Sequence, residues 1–270
     1  MHFLNILSKM VAYFIHKGLV GQRLINLIPC GVFYDKKLRM VYEKIGLDKI
    51  YLSSPIHAID GFGRTNTLKW LCEKVFYSKY QPSDPDTYVD IGSGYGHEIL
   101  WLANRTSARI IAIEPNPETF LFLNVNVSHL ENVQTLNSFV STSKDGKVAL
   151  HQDYASTKVQ GDLGISVSSI DIKSLLNIYG PINFIKMNIE GAEKHVVEQD
   201  GIHSIPHILI SCHDFKADKT KDSSYRTFES VKQSLLSKGY IVENLNIDSL
   251  PSKMWEESSK YWLYAHRPDC

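Results

Sequence analysis

Tyr88 to Glu98 read "YVDIGSGYGHE". The acid Asp90 is followed by glycines at 92, 94 and 96, with an apolar run before them and the helically spaced "HEILWLANR" after them. A strand, a glycine-rich turn and a helix form the cradle that open α/β sheets offer to nucleotide cofactors. Glycines bend the chain sharply and let a ligand lie against bare backbone. The spacing is DxGxGxG, tighter by one residue between its last glycines than the dinucleotide fingerprint. Alone, the stretch admits either a dinucleotide or an adenosyl cofactor.

Outward from this turn, strands alternate with helices. "TYVDIG", "ARIIAIE", "VQTLNSFV", "INFIKMNI", "HILISCH", "YIVENL" and "YWLYAHR" read as strands, separated by helices such as "ETFLFLNVNVSHL", "AEKHVVEQD" and "YRTFESVKQSLLSKG". This alternation predicts a mostly parallel sheet covered on both faces. Upstream, "VGQRLINLI" and "LRMVYEKIG" have helical spacing, "AIDGFGRTN" is a short glycine-bearing segment, and "YQPSDPD" punctuates the chain. Residues 1–80 are therefore expected to form a mainly helical N-terminal extension, and residues 81–270 the catalytic domain.

Twenty-nine basic and twenty-nine acidic side chains leave no formal net charge, which removes the long-range attraction that nucleic acid rewards. Cys30, Cys72, Cys212 and Cys270 are dispersed without CxxC spacing and read as reduced thiols of a cytoplasmic protein. Lys9 interrupts the apolar N-terminus, and no small-residue cleavage site follows it. The segment is too short and too charged to span a bilayer. It reads as an amphipathic helix packed on the body, the alternative being contact with a membrane surface.

Glu114 ends the second strand of the nucleotide-binding unit, 24 residues after Asp90. There a carboxylate can accept both hydroxyls of a ribose. That fits S-adenosyl-methionine and NAD alike and disfavours NADP, whose 2′-phosphate it would repel.

Four segments in register, "VDIGSGYGHE", "AIEPNPETFLFLNVNVSHLENVQTLNS", "SVSSIDIKSLL" and "INFIKMNIEGAEKHVVEQD", resemble the FkbM-type S-adenosyl-methionine-dependent methyltransferases from about Thr87 to Ile241. Glu114 to Pro117 match the family's EPNP, Asn124 its helix asparagine, Ile170-Asp171 its LD pair, and Lys186 to Glu193 its IKxDxEGxE stretch. The chain departs from the family at Asn188, usually aspartate, and at Ser211-Cys212-His213, usually ExH. The resemblance implies a class I, Rossmann-like methyltransferase fold: a seven-stranded, mostly parallel sheet with its last strand antiparallel and helices on both faces. It places the donor against Asp90, Gly92, Ser93, Gly94, Gly96, Glu114, Pro115, Asn116, Ser138 and Asn188.

Candidate catalytic residues are His213, Glu190 and Asn188. Histidine titrates near neutrality and suits a general base for a hydroxyl. Asn188 stands at the end of the fourth strand beside the expected sulfonium, and Glu190 and Glu193 follow it three residues apart, on one side of a helical turn. Lys186, inside an apolar strand, needs a carboxylate partner, for which Asp171 and Glu193 are the candidates. Charges from Lys216 to Asp222 read as a solvated loop. No metal is expected.

The expected function is O-methylation of a hydroxyl on a sugar, glycan or secondary metabolite. The alternatives are an NAD-dependent oxidoreductase and a methyltransferase-like module that binds donor without turnover. The absence of an NPPY or DPPY run after the fourth strand disfavours amino methylation of nucleic acid.

Overall fold

The computed structural model describes residues 2–27, 31–46, 48–58, 67–143, 145–149, 158–159, 165–245, 247 and 258–268. Most of "AIDGFGRTN", with Cys30 and Cys270, lies outside these residues. Three strands open the chain: β1 (Val32–Asp35), β2 (Met40–Ile45) and β3 (Asp48–Leu52). The central sheet takes β4 (Thr87–Ile91), β5 (Arg109–Ile113), β6 (Val133–Leu136), β11 (Phe184–Met187), β12 (His207–Ser211), β13 (Ile241–Asn244) and β14 (Trp262–His266). Between them lie β7 (Ser138–Val140), β8 (Asp145–Ala149), β9 (Lys158–Val159) and β10 (Ile165–Ile170), which form a small sheet of their own.

The central sheet runs β13-β14-β12-β11-β4-β5-β6, with β14 antiparallel to both neighbours and the other pairs parallel. This is the expected seven-stranded, mostly parallel sheet with its last strand antiparallel and helices on both faces. Each strand sends alternate residues to opposite faces, as the period of two requires. Tyr88, Ile110, Phe184 and Leu209 meet α2 (Thr67–Leu71), α3 (His97–Ala103) and α4 (Pro117–Val127) in one core. Val89, Ile111, Ile185 and Ile208 meet α5 (Ile172–Tyr179), α6 (Glu193–Val197) and α8 (Phe228–Ser237) in the other. Burial of both faces is why these strands are continuously apolar rather than alternating.

Three local expectations need correction. "LRMVYEKIG" is not helical: it supplies β2 of an antiparallel β1-β2-β3 sheet, with Val41 and Glu43 buried in alternation. Asp35 accepts from the backbone N–H of Lys37 and Leu38, closing the first turn, and Gly46 at φ 63° bends the second. "VQTLNSFV" is two strands, β6 and β7, in different sheets; at the switch the Asn137 side chain donates to the carbonyl oxygens of Glu114 and Pro115. The charges from Lys216 to Asp222 belong mostly to a helix, α7 (Asp214–Thr220), stopped at Lys221 by a left-handed backbone.

The N-terminal strands are fastened to the glycine turn. Ile25, Val41 and Ile50 share a core with Leu102 and Ile110. The Asn126 amide on α4 accepts from Tyr51 N–H at 2.7 Å and donates to the carbonyls of Tyr51 and Tyr95 at 3.0 and 2.8 Å. Glu43 Oε1 meets His97 Nε2 at 2.6 Å, with both side chains buried.

Lys186 is 0% exposed in the middle of the sheet. Its register partner on β4 is Asp90, whose Oδ1 lies 3.0 Å from Nζ, and Glu98 of α3 closes on the same ammonium. The expected partners, Asp171 and Glu193, are elsewhere. Asp171 caps α5 through the Ser174 N–H, and Glu193 meets His213. Burial pushes the Asp90 carboxyl up against the pull of Lys186. For Lys186, burial pulls down, but Asp90 and Glu98 together hold the proton more firmly.

Two substitutions test these joints. Asn126→Ala should cost about 1–3 kcal/mol in urea unfolding, because it strands buried backbone groups of both β3 and the glycine turn. Lys186→Met should cost about 3–5 kcal/mol by the same measurement, since it leaves two buried carboxylates facing each other without a cation.

Candidate functional site

The glycine turn leaves β4 and folds over the end of β5, where the N–H groups of Gly92 and Ser93 both reach the Ile113 carbonyl, at 2.9 and 3.0 Å. Gly92 adopts φ 83°, and a Cβ there would lie 2.4 Å from the Asn188 carbonyl oxygen. The neighbouring strand end by itself requires a glycine here, and Gly92 also stands on the cavity wall. Gly96, also at φ 83°, serves helix packing: its missing Cβ would press on Leu123 at 2.7 Å. Only Gly94 of the three combines a left-handed backbone with a place on the cavity wall and a direct bond to the acid that follows β5.

That acid is Glu114. Oε2 accepts from Gly94 N–H and Oε1 from Asn116 N–H, each at 2.9 Å, so one carboxylate joins the turn to the start of α4. Burial pushes its pKa up to about 7, against the lowering effect of those two N–H donors. Each oxygen keeps a second lone pair for a hydroxyl donor. Asn116 is itself buried and caps α4, accepting from Glu118 N–H and Thr119 N–H. Pro115 lines the cavity beside Ser138, whose hydroxyl pairs with that of Ser168 at 3.0 Å.

The other sequence candidates divide by burial. Asp90 is 0% exposed and committed to Lys186, while Ser93 turns its hydroxyl onto the Asp90 carbonyl at 2.9 Å. Both brace the turn from behind. Asn188 lines the cavity, and its N–H is held by the Ile91 carbonyl.

Glu190 follows Asn188 with φ 61°, a left-handed backbone that a non-glycine residue adopts at a cost and that is common at functional sites. Its side chain touches Lys216 through Oε2, and its Oε1 lies 3.5 Å from His213 Nε2. His213 Nδ1 in turn meets Glu193 Oε1 at 2.9 Å. Glu193 is fixed by the N–H of Gly191 at 3.0 Å and the hydroxyl of Thr227 at 2.9 Å. Glu190 reaches the cavity wall, whereas His213 is 3% exposed and sits behind it. Asp214 turns away and accepts from the N–H groups of Thr227 and Phe228 at the start of α8.

These groups border a cavity of about 800 Å³ at the ends of β4, β5 and β11. Gly94 and Glu114 stand at one part of its wall, Asn188 to Ala192 at another, and Ser141 to Ser143, His195 and Ser224 at its remaining margin. Sequence reading missed Glu98, Thr227 and Lys216 and the serine-rich margin. For Glu98 there was a signal: it closes the quoted stretch, and a buried Lys186 paired across from Asp90 demands a second carboxylate. Thr227 and Lys216 had none, because the contacts that assign them span 34 and 26 residues.

Comparison with known proteins adds to this geometry. Residues 90–242 match the family model described as the methyltransferase FkbM domain. No curated protein sequence matches significantly. Among solved structures, the chain is similar to a precorrin-6y C5,15-methyltransferase from Geobacter metallireducens GS-15, with 14% identity over 78% of this chain and 91% of that one at a TM-score of 0.41. Aeropyrum pernix fibrillarin with natively bound S-adenosyl-L-methionine is similar at 10% identity over 84% and 88% of the two chains, with a TM-score of 0.44. For a Podospora anserina methyltransferase bound to SAH the values are 10%, 68% and 72%, and 0.43. The family match spans more than half of the chain and takes in the glycine turn, Glu114 and the Asn188–Glu193 segment, so the chain belongs to the FkbM family of S-adenosyl-L-methionine-dependent methyltransferases.

Proposed function

We propose that the chain binds S-adenosyl-L-methionine in this cavity and methylates a hydroxyl of a sugar, glycan or secondary metabolite. The observation that carries the reading is the series Glu190–His213–Glu193, with its first member on the cavity wall and its last fixed by two hydrogen bonds. Glu114 and Gly94 suit the donor's ribose, and Asn188 shares the cavity wall with them and with Glu190. The donor supplies a methyl group already activated on a sulfonium, so the protein's task is placement and removal of the acceptor's proton.

Glu190 takes that proton. Glu193 accepts the Nδ1–H of His213, which leaves Nε2 as the acceptor and sets it toward Glu190. A proton arriving on Glu190 is thereby shared with His213, and the resulting imidazolium lies between two carboxylates. As the acceptor oxygen gains the methyl, its proton passes to this relay, leaving a methyl ether and the demethylated donor. His213, expected to abstract the proton itself, acts in this reading through Glu190 because its ring is buried behind the carboxylate. Serines 141, 143 and 224 offer the neutral donors and acceptors that a polyhydroxylated acceptor requires.

The relay predicts that Glu190→Gln lowers turnover by about 10²–10⁴-fold in a methyl-transfer assay while donor affinity changes little. Full turnover in that variant overturns the assignment, and donor binding without turnover by the unmodified chain on a broad hydroxylated panel favours the binding module. A second expectation concerns pH. Below about 7 the free protein holds a proton on Glu114 that the ribose hydroxyls must displace from an accepting carboxylate. Donor affinity therefore rises with pH up to about 7, by at most about tenfold per pH unit, and then levels off. Calorimetry from acidic to alkaline pH checks this, with Glu114→Gln as the variant whose affinity is weaker and lacks that rise.

A further inference from the structure

The helix α1 (His2–His16) is apolar on two sides. Ser8, Ala12 and Ile15 are buried against the body. Met10, Tyr13 and Phe14 are spaced to form one stripe on the outer side and are 50%, 49% and 37% exposed, with exposed Lys17 completing it a turn later. Past the helix, Leu19, Leu24 and Leu27 are exposed at 67%, 41% and 76%. Isolated exposed apolar side chains need no explanation, but an ordered stripe of them does.

The charges in the segment that carries the stripe have one sign. Residues 1–34 contain Lys9, Lys17 and Arg23 and no Asp or Glu. Residues 1–58 hold eight Lys or Arg against three Asp or Glu, and the rest of the chain twenty-one against twenty-six, so a chain of zero net charge is polarised along its length. Lys9 and Arg23 are exposed, and the Lys17 ammonium lies 5.9 Å above the Tyr13 ring.

We propose that this face docks on a bilayer surface containing anionic lipid. Met10, Tyr13 and Phe14 enter the interface, and Lys9, Lys17 and Arg23 meet the headgroups. The helix lies in the plane of the interface; among the described residues, no helix is long and apolar enough to cross a membrane. Apolar anchors in a segment whose Lys and Arg face no Asp or Glu of its own complement an apolar layer edged by negative charge. Two copies of the chain meeting through this face would set the same cations against one another.

The test is sedimentation of the full chain with vesicles of phosphatidylcholine alone and of phosphatidylcholine mixed with phosphatidylglycerol. At low salt the anionic vesicles should bind about tenfold or more of the protein that neutral ones do, and the excess should shrink as salt screens the charges. The paired variants Tyr13→Ser/Phe14→Ser and Lys9→Glu/Lys17→Glu should each lose about tenfold in binding, with thermal unfolding and donor affinity unchanged. If the aromatic pair proves unstable, the charge pair at exposed positions decides the matter alone. No vesicle binding by the unmodified chain, or binding untouched by the charge pair, overturns the proposal. A dimer in light scattering that the aromatic variant converts to monomer also overturns it and assigns the face to a second copy.

Discussion

The arrangement rests on one buried cation. Lys186 sits within the sheet, held by Asp90 on the adjacent strand and by Glu98 on the helix that follows the glycine turn. Such a group contributes little net stability, because desolvating three charges offsets most of their attraction. Its effect lies in specificity. Any slip between β4 and β11 would separate Lys186 from Asp90, and any displacement of α3 would remove Glu98. The glycine turn spans the interval between these two carboxylates, so the triad sets both its ends. From there the Gly92 backbone packs on the Asn188 carbonyl, bringing the glycine turn and the start of the Asn188–Glu193 segment together.

Two further contacts extend this constraint outward. Glu114 joins Gly94 to the head of α4, and Asn126, farther along α4, joins the Tyr95 carbonyl to β3. The N-terminal sheet is thus continuous with the cavity wall through hydrogen bonds as well as through a shared core. With Glu43 paired to His97 at the start of α3, the turn is held from the side opposite the sheet. The glycine positions are costly in conformational freedom, and their rigidity comes from these surrounding bonds.

The cavity wall has two electrostatic regions. At Glu114 the carboxylate is desolvated and weakly acidic, suited to accepting hydroxyl hydrogens. At Glu190 the carboxylate is flanked by Lys216 and His213, an arrangement suited to moving a proton. Asn188, on the same wall, is neutral. Where the family usually has an acid, the amide keeps a third negative charge from lying beside them.

The fold was legible in the sequence because it depends on local periodicity: apolar strands of four or five residues alternating with helices, and glycines that force left-handed turns. The place of Glu114 on the cavity wall was legible too, since residues that leave a strand at this edge of a parallel sheet face the crevice there. The tertiary structure alone decided which carboxylates meet Lys186, that Glu193 and Thr227 hold His213, and that Glu190 rather than His213 reaches the cavity. These choices depend on distance and burial between residues far apart in the chain, which composition and spacing do not encode. The same holds for β2 and β7. Short segments carry too few residues to separate a period of 2 from one of 3.6, and only the partners they pair with select the strand.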